Sequence, residues 1–584
     1  MTHKELLKKL HSVKIEDWND ISSFLNILSK ESPPVKNYSK EEFYETVKSG
    51  VAFITYDYGI DGVTIEIQKY ADCLEKMLTP DPAKPAPVHM IGGEFFDKAD
   101  SILKPRWDRF VIEDMDGWDK WSGGKYFSRL YYEDMPDGSK ISQETAVEMW
   151  RQAIEFSDKL SSYLEANNIS LLVPVNIASN PGNFAIMLAI IIVTEAFGTH
   201  VISSNHDYYW EGGKPASQKA GDEEPGVRDH FFRNCENRSF FRLFERMYPW
   251  NGKRWLQVSI NTRQSETLVR KFGFPEEKTF ELGTSISDDF FVDALPGYVY
   301  SVRERMNYII SDGYSRIRPV AIIDHLNDLT DWMQHQVPVA VGSRSGLSLD
   351  LRKPTTLYCL QPTRVVERKR IEMDIEMLQA LVLHEPFRKE FEAYRAYQLV
   401  LHITGPTPIE HEEDLRSVLT AYRKLCESIP GDMAERIFLI FSVGNEYHRS
   451  FEEHGFDRLH IEDIYHLATV ILFPSETEGR GLPILESSAG GIPIICSRYY
   501  PEEVFAEVVG ENLPDEEQIK YLLFPENGYD AKFLDKVMDM LLRPDKMLEW
   551  KEHNKEAVKH RYSTATIRKK FKEFFKRLRN MPEA

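Results

Sequence analysis

The chain has 584 residues and a formal net charge of -20, which argues against a nucleic-acid partner, because phosphate backbones are met by basic fields. Its five cysteines, Cys73, Cys235, Cys359, Cys426 and Cys496, are scattered without CxxC spacing; this argues against a disulfide framework or a zinc site and points to a reducing cytoplasm. At about 150 residues per domain the length fits three to four domains, or two large α/β ones, and a hydrophobic content of 42% supplies more than one core.

The opening MTHKELLKKLHSVKIEDW carries no long apolar core and no small-residue cleavage site, so it does not read as a secretory signal. Residues 1–50 are charged and helix-forming, with Pro33 and Pro34 breaking the pattern, and read as an N-terminal helical extension. At Val51 the character changes. VAFITY has the pattern of a buried strand, YGIDGV follows, and a helix is predicted from Thr64 to about Met77. Strand, glycine-containing turn and helix open a doubly wound α/β domain. Residues 78–140, rich in Pro, Asp, Trp and Gly, read as an insertion. A helix is predicted over 144–167, SLLVPV is a strand, and NPGN precedes an apolar helix at 184–197. Its AIMLAIIIV run is too short for a bilayer span, which takes about 20 residues. HVISSNHDYYWEG is a strand running into a polar, aromatic loop, and RWLQVSINT and KTFEL close a first domain over 51–290.

Residues 291–350 carry mixed signals and read as an inter-domain segment. A second α/β pattern, 351–545, runs through TTLYCLQPTR, IEMDIEMLQALVLH, YQLVLHITG, DLRSVLTAYRKLCESI, RIFLIFSVG, DIYHLATVILFPS and IPIICS as alternating strands and helices; 546–584 is a helical tail. Two such halves predict facing doubly wound domains, with ligands met outside the carboxyl ends of the strands.

Unusual residues fall at those strand ends. In QPTRVVERKR, Arg364 follows the strand directly and Lys369 stands five residues on. An Arg fork and a Lys point charge there can both reach one diphosphate; a solvated basic turn pairing with Glu367 or Glu372 is the competing reading. In SETEGRGLPILESSAGGIPII, Gly479 and Gly481 allow close backbone approach, Pro483 suits the first turn of a helix, and the helix N-terminus favours anions. Glu478 before the turn and Glu486 inside the helix offer acceptors for sugar or ribose hydroxyls. Equally, Glu486 could complement the helix dipole and Glu478 sit exposed in a loop. Trp and Tyr residues between 107 and 133 fit either a sugar-stacking surface or an aromatic core.

EGRGLPILE resembles the Glu-x7-Glu signature of the retaining family-4 glycosyltransferases, and PSETEGRGLPILESSAGGIPII resembles their pattern over its whole length. QPTRVVERK resembles their Arg-x4-Lys phosphate loop, YGIDGV their first N-domain loop, and SNHDYYWEG a stretch of the sucrose-phosphate-synthase-like branch. The resemblance covers roughly residues 51–70, 170–290 and 355–500. It implies an α/β fold of GT-B type, two Rossmann-like domains facing across a cleft with a helical tail. It implies that Arg364 and Lys369 hold a diphosphate and stabilise the leaving group, that Glu486 binds ribose, and that Glu478 contacts donor hydroxyls near C3 and C4. The chain at Gly479, Gly481 and Leu482 would lie along sugar and phosphate. His206 would reach the C6 region and the reacting face, Gly59 and Gly62 would let the first loop approach, and Asp61 would touch the acceptor.

The implied activity is retaining transfer of a hexose from a UDP- or GDP-sugar to a hydroxyl of a small soluble acceptor, phosphorylated or not. It needs no metal or other cofactor, and involves no nucleic acid and no membrane span; whether the chain forms a homo-oligomer stays open. Two rival readings are a nucleotide-sugar epimerase on the same architecture and a non-catalytic sugar-nucleotide-binding protein. The sequence departs from the family pattern at Arg480, where an aromatic is usual, and at Arg370, where Gly often stands. Its first loop has one Gly at each end instead of a pair.

Overall fold

Strands covered on both faces have no polar side to show, so they read as unbroken apolar runs. VAFI (Val51–Ile54) and VILF (Val470–Phe473) are buried at every position. The structure, a computed structural model, describes residues 1–59, 61–81, 83–115, 125–211, 234–311, 317–324, 338–405 and 412–581. The chain divides into two units, Met1–Ser285 with Thr564–Ala584, and Ile286–Ser563.

The first unit is built on seven strands: β1 (Val51–Ile54), β2 (Val88–Gly92), β3 (Asp108–Val111), β4 (Leu171–Pro174), β5 (His200–Asn205), β6 (Trp255–Ser259) and β7 (Thr279–Glu281). Their order is β3-β2-β1-β4-β5-β6-β7, all parallel, with Val51 paired to Val88 on one side and Leu171 on the other. The order reverses between β1 and β4, which makes this the topological switch point. The apolar helix Phe184–Phe197 is opened by Asn183, whose side chain accepts from the Ala185 and Ile186 amides, and ends at Gly198 with φ 70. It is buried from Phe184 to Ala196 and packs against the helix Lys140–Ala166.

Residues 78–140 are not an insertion beside this sheet, because they contribute β2 and β3 to it. Residues 1–50 are not an appendage either. Their helices His3–Ser12, Trp18–Glu31 and Lys40–Lys48 each open with a capping box. Leu6, Leu10, Trp18 and Phe24 share one core with the helix Phe184–Phe197. The helix Thr564–Leu578 completes the unit. Its Phe571 packs edge-on against Tyr70, and its Phe575 against Phe43. Burying one such ring is worth about 1.5–3 kcal/mol.

The second unit carries β8 (Arg318–Pro319), β9 (Val339–Gly342), β10 (Thr356–Gln361), β11 (Gln398–Thr404), β12 (Ile437–Ser442), β13 (Val470–Phe473), β14 (Ile494–Cys496) and β15 (Leu522–Leu523). Their order is β8-β9-β12-β11-β10-β13-β14-β15. Only β9 and β12 pair antiparallel. The order reverses between β10 and β13. The segment 291–350, expected as an inter-domain segment, supplies the helix Pro296–Ser311 and strands β8 and β9 to this unit. Among the described residues no helix is long and apolar enough to cross a membrane.

Candidate functional site

The loops leaving β10 and β13 lie side by side at the carboxyl ends of adjacent strands, at the second switch point. Past β10 the chain crosses Gly405, at the end of β11, so closely that a Cβ there would stand 2.7 Å from the Arg364 amide nitrogen. It then makes a single turn over Glu367–Lys369, and Arg370 caps the helix Ile371–Leu383 with φ 49 and ψ 42. Glycine takes this left-handed conformation freely, whereas a side chain costs about 1–2 kcal/mol there. The departure at Arg370 therefore leaves the main-chain turn in a glycine-like conformation. Past β13 the chain reaches Gly481, φ 61, which caps the helix Leu482–Ala489. A Cβ on Gly481 would fall on the Tyr499 hydroxyl, so this position admits only glycine without local movement.

Main-chain bonds stitch the loops together. The Glu476 amide donates to the Arg368 carbonyl (2.9 Å), the Tyr500 amide to Glu476 (2.7 Å), and the Glu478 amide to Tyr500 (3.0 Å). Arg368 Nη1 donates to the Thr477 carbonyl at 2.8 Å. At the centre Lys369 Nζ donates to Glu478 Oε1, and their side chains are only 9% and 13% exposed. Arg368 Nη1 lies 3.9 Å from the other Glu478 oxygen. Burial opposes ionisation of Glu478, but the charges of Lys369 and Arg368 outweigh it and hold the carboxyl below its ordinary range. Burial also pulls Lys369 down, against the pull of Glu478, with the Arg368 and Arg364 charges adding to the fall.

The structure thus brings Arg364, Lys369 and Glu478 into one electrostatic cluster. Glu486 stands in the helix that follows, its Oε2 accepting from the Tyr465 hydroxyl at 2.7 Å. Gly479, Arg480, Gly481 and Leu482 form the chain between the two glutamates. Sequence reasoning did not assign roles to Arg368, Tyr465 and Tyr499. Arg368 was visible within the basic run, but the Tyr465–Glu486 bond spans 21 residues and leaves no local signal.

His206, Asp61, Gly59 and Gly62 belong to the first unit. Asp61 caps the helix Gly62–Leu78: its side chain accepts from the Val63 and Thr64 amides (2.7 and 2.9 Å) and from the Thr64 hydroxyl (3.0 Å). The Gly59 amide donates to Thr64 Oγ1 at 3.2 Å. Both Asp61 oxygens therefore serve the cap. Ile60, inside this loop, lies outside the described residues. His206 follows β5, half-buried, with Nε2 3.5 Å from Ser204 Oγ and its carbonyl accepting from Gln264 Nε2 at 2.9 Å.

Next to His206, Asn176 and Asp207 bracket the loops after β4 and β5. Asn176 Nδ2 donates to Asp207 Oδ2 and the Asp207 amide to Asn176 Oδ1, both at 2.9 Å. Tyr56 Oη donates to the Asn180 carbonyl at 3.0 Å. Neither Asn176 nor Tyr56 stood out in the sequence. Of the aromatic residues between 107 and 133, Trp107, Phe127 and Tyr131 are core residues; Gly117–Trp121 lies outside the described residues.

Residues 450–557 match the family model described as glycosyl transferases group 1. The match includes Glu478 and Glu486 and stops short of Arg364 and Lys369. No curated protein sequence matches the chain. Among solved structures, a glycosyltransferase from Rickettsia africae is 11% identical with a TM-score of 0.50, covering 91% of this chain and 98% of its own. Anabaena HepE, solved in complex with UDP and glucose, is 10% identical with a TM-score of 0.50, covering 90% and 99%. At these identities the likeness speaks for the fold. The chain therefore has a GT-B fold, and its residues 450–557 are similar to glycosyl transferases group 1.

Proposed function

We propose that this chain is a retaining glycosyltransferase that moves a hexose from a UDP- or GDP-sugar to a hydroxyl of a small soluble acceptor, phosphorylated or not. One observation carries the reading. Three cations, Arg364, Arg368 and Lys369, gather with Glu478 at the switch point of a doubly wound sheet, and the group 1 match covers the loop that holds Glu478. That is where such sheets take nucleotides.

In this reading the Arg364 fork and Lys369 take the diphosphate oxygens and stabilise the charge that grows on the leaving group. As they do, Glu478 exchanges Lys369 for the donor's C3 and C4 hydroxyls. Tyr465 fixes the orientation of Glu486, which accepts from the ribose hydroxyls. Gly479, Gly481 and Leu482 lie along sugar and phosphate at the positive end of the helix Leu482–Ala489. His206 serves the sugar's C6 side, Gly59 and Gly62 keep the first loop slim, and Asp61 meets an acceptor from its capping position. The bond from C1 to the phosphate oxygen breaks, and the acceptor oxygen bonds to C1 on the same face. The acceptor's proton passes to the leaving phosphate. No protein nucleophile and no metal is invoked, since the basic cluster neutralises the diphosphate.

UDP-glucose is the first donor to test, because HepE, of similar fold, was solved with UDP and glucose. The expected result is UDP release that depends on acceptor and survives EDTA, with the product's anomeric configuration retained by NMR. Binding of UDP- and GDP-sugars with neither transfer nor hydrolysis would sink the reading.

A further inference from the structure

The chain carries a net charge of -20, yet the helix Thr564–Leu578 is strongly basic: Arg568, Lys569, Lys570, Lys572, Lys576 and Arg577 stand against one acid, Glu573. Its Ile567, Phe571, Phe574, Phe575 and Leu578 are buried in the first unit, which leaves the cations outside. At about 100° per residue, Arg568, Lys569, Lys572 and Lys576 fall within one arc of about 100°, along about 12 Å of helix. All four are exposed.

Among the described residues none of these four has a carboxylate partner. Lys570 and Arg577, on another side of the helix, do: they pair with Glu573 at 3.7 Å and Glu277 at 3.6 Å. The neighbouring helix Gly62–Leu78 adds an exposed cation, Lys76, and the Cys73 thiol feels the charges of Arg568, Lys76 and Lys572 together. Gathering like charges on one face costs Coulomb energy, which an anionic partner removes.

The form of the surface selects among anions. A small ligand is held where polar groups converge in a concavity, whereas these cations lie along the outside of a helix. Single-stranded nucleic acid is held by exposed aromatic rings beside the cations, and every Phe of this helix is buried. A longer polyanion would also run past the stripe onto a chain whose net charge is -20. Protein interfaces are depleted in Lys and centred on apolar side chains, and no large apolar side chain of this helix is exposed. A bilayer bearing anionic lipids asks for none of these. It meets a protein at one face and attracts basic residues by about 1 kcal/mol each, while acids farther off than about 8 Å are screened.

We propose that the basic stripe of the helix Thr564–Leu578 docks the first unit on the surface of an anionic lipid bilayer. The inference does not depend on the transferase reading. Because the apolar side of the helix is spent in the core, the contact is electrostatic alone: no apolar side chain of the helix inserts, and salt releases it.

The test is flotation of the full chain with vesicles of phosphatidylglycerol and phosphatidylcholine in equal parts, or of phosphatidylcholine alone. It is run at about 0.1 M and about 1 M NaCl, where the Debye length is about 10 and about 3 Å. Binding is expected only to the anionic vesicles and only at the lower salt. Joint replacement Lys569→Gln, Lys572→Gln and Lys576→Gln should keep the melting temperature and weaken binding about a hundredfold, at about 1 kcal/mol per charge; Lys572→Gln alone should weaken it about fivefold. Lys4→Gln, Lys8→Gln and Lys159→Gln together, the same charge change at exposed positions elsewhere on the first unit, should bind as the wild type does. The inference is overturned if the anionic vesicles are ignored at the lower salt, if phosphatidylcholine alone binds equally, or if binding survives the higher salt. It is equally overturned if the stripe variants bind as the wild type does, if both triple variants lose binding alike, which marks bulk charge, or if single-stranded RNA displaces the vesicles, which marks a nucleic-acid face.

Discussion

Both sheets reverse their strand order once, between β1 and β4 in the first unit and between β10 and β13 in the second, yet the loops above these two points are held by different forces. In the first unit they are tied by amides and hydroxyls: Asn176 to Asp207, Tyr56 to Asn180, Gln264 to His206. In the second they close on a nearly buried ion pair, Lys369 with Glu478, with Arg368 beside it. The difference bears on what each can release. A diphosphate can replace a carboxylate against Lys369 without leaving that cation uncompensated, so the charged clamp can hand itself over to an anion. The amide brackets position their loops without offering such an exchange.

The sharpest way to break the contrast is to remove one charge. Lys369→Met leaves Glu478 buried without its main partner, and is expected to destabilise by about 3–5 kcal/mol and to abolish transfer. Asp207→Ala, its counterpart in the first unit, should cost only about 1 kcal/mol. Equal losses in chemical denaturation would end the comparison. Next, Glu478→Gln should lower kcat/KM by about 10²–10³. Adding it to Lys369→Met should destabilise less than the two single changes summed, by about 1–3 kcal/mol of coupling.

Acidity probes the same pair. Because Glu478 is held below its ordinary 4.5, its contribution is fully present above that value and is lost as pH falls through the depressed value. Melting temperature below about pH 4.5 should therefore fall more steeply in the wild type than in Lys369→Met. Gly481→Ala comes next, at about 1–3 kcal/mol from its positive φ and its collision with Tyr499; Tyr499→Phe should recover part of the loss, and a full rescue would remove φ from the explanation. The smallest effect is expected from Arg370→Gly. Relief of the left-handed strain opposes the added freedom of the unfolded chain, so the net change should stay within about 1 kcal/mol.

Much of this fold is legible because burial on both faces writes itself into the chain. VAFI, LLVP and VILF announce their strands, and the helix predicted at 184–197 is the helix Phe184–Phe197. The strands inside 78–140 stay hidden for physical reasons. β2 contains His89 and follows a proline-rich stretch, and β3 is a largely exposed edge strand, so neither makes an apolar run. In the second unit, β8 is two residues long and includes a proline, too little for any pattern to show.

The candidate site divides the same way. Residue types and order mark Arg364, Lys369, Glu478 and Glu486, since their chemistry is local to two loops. Their partnerships are not local: Lys369 and Glu478 lie 109 residues apart. Asp61 shows the reverse case. The resemblance gives it an acceptor contact and no capping role, whereas the structure has its side chain cap the helix Gly62–Leu78.

The helix Thr564–Leu578 follows the whole second unit in the chain and yet belongs to the first. Its Ile567, Phe571, Phe574, Phe575 and Leu578 share a core with Phe43, Tyr70 and Leu74. On a ribosome the first unit must therefore wait, its core short of these side chains, while the whole second unit is synthesised. At about 5–20 residues per second that interval is on the order of tens of seconds, during which the first-made unit offers an apolar surface to any chaperone that reaches it.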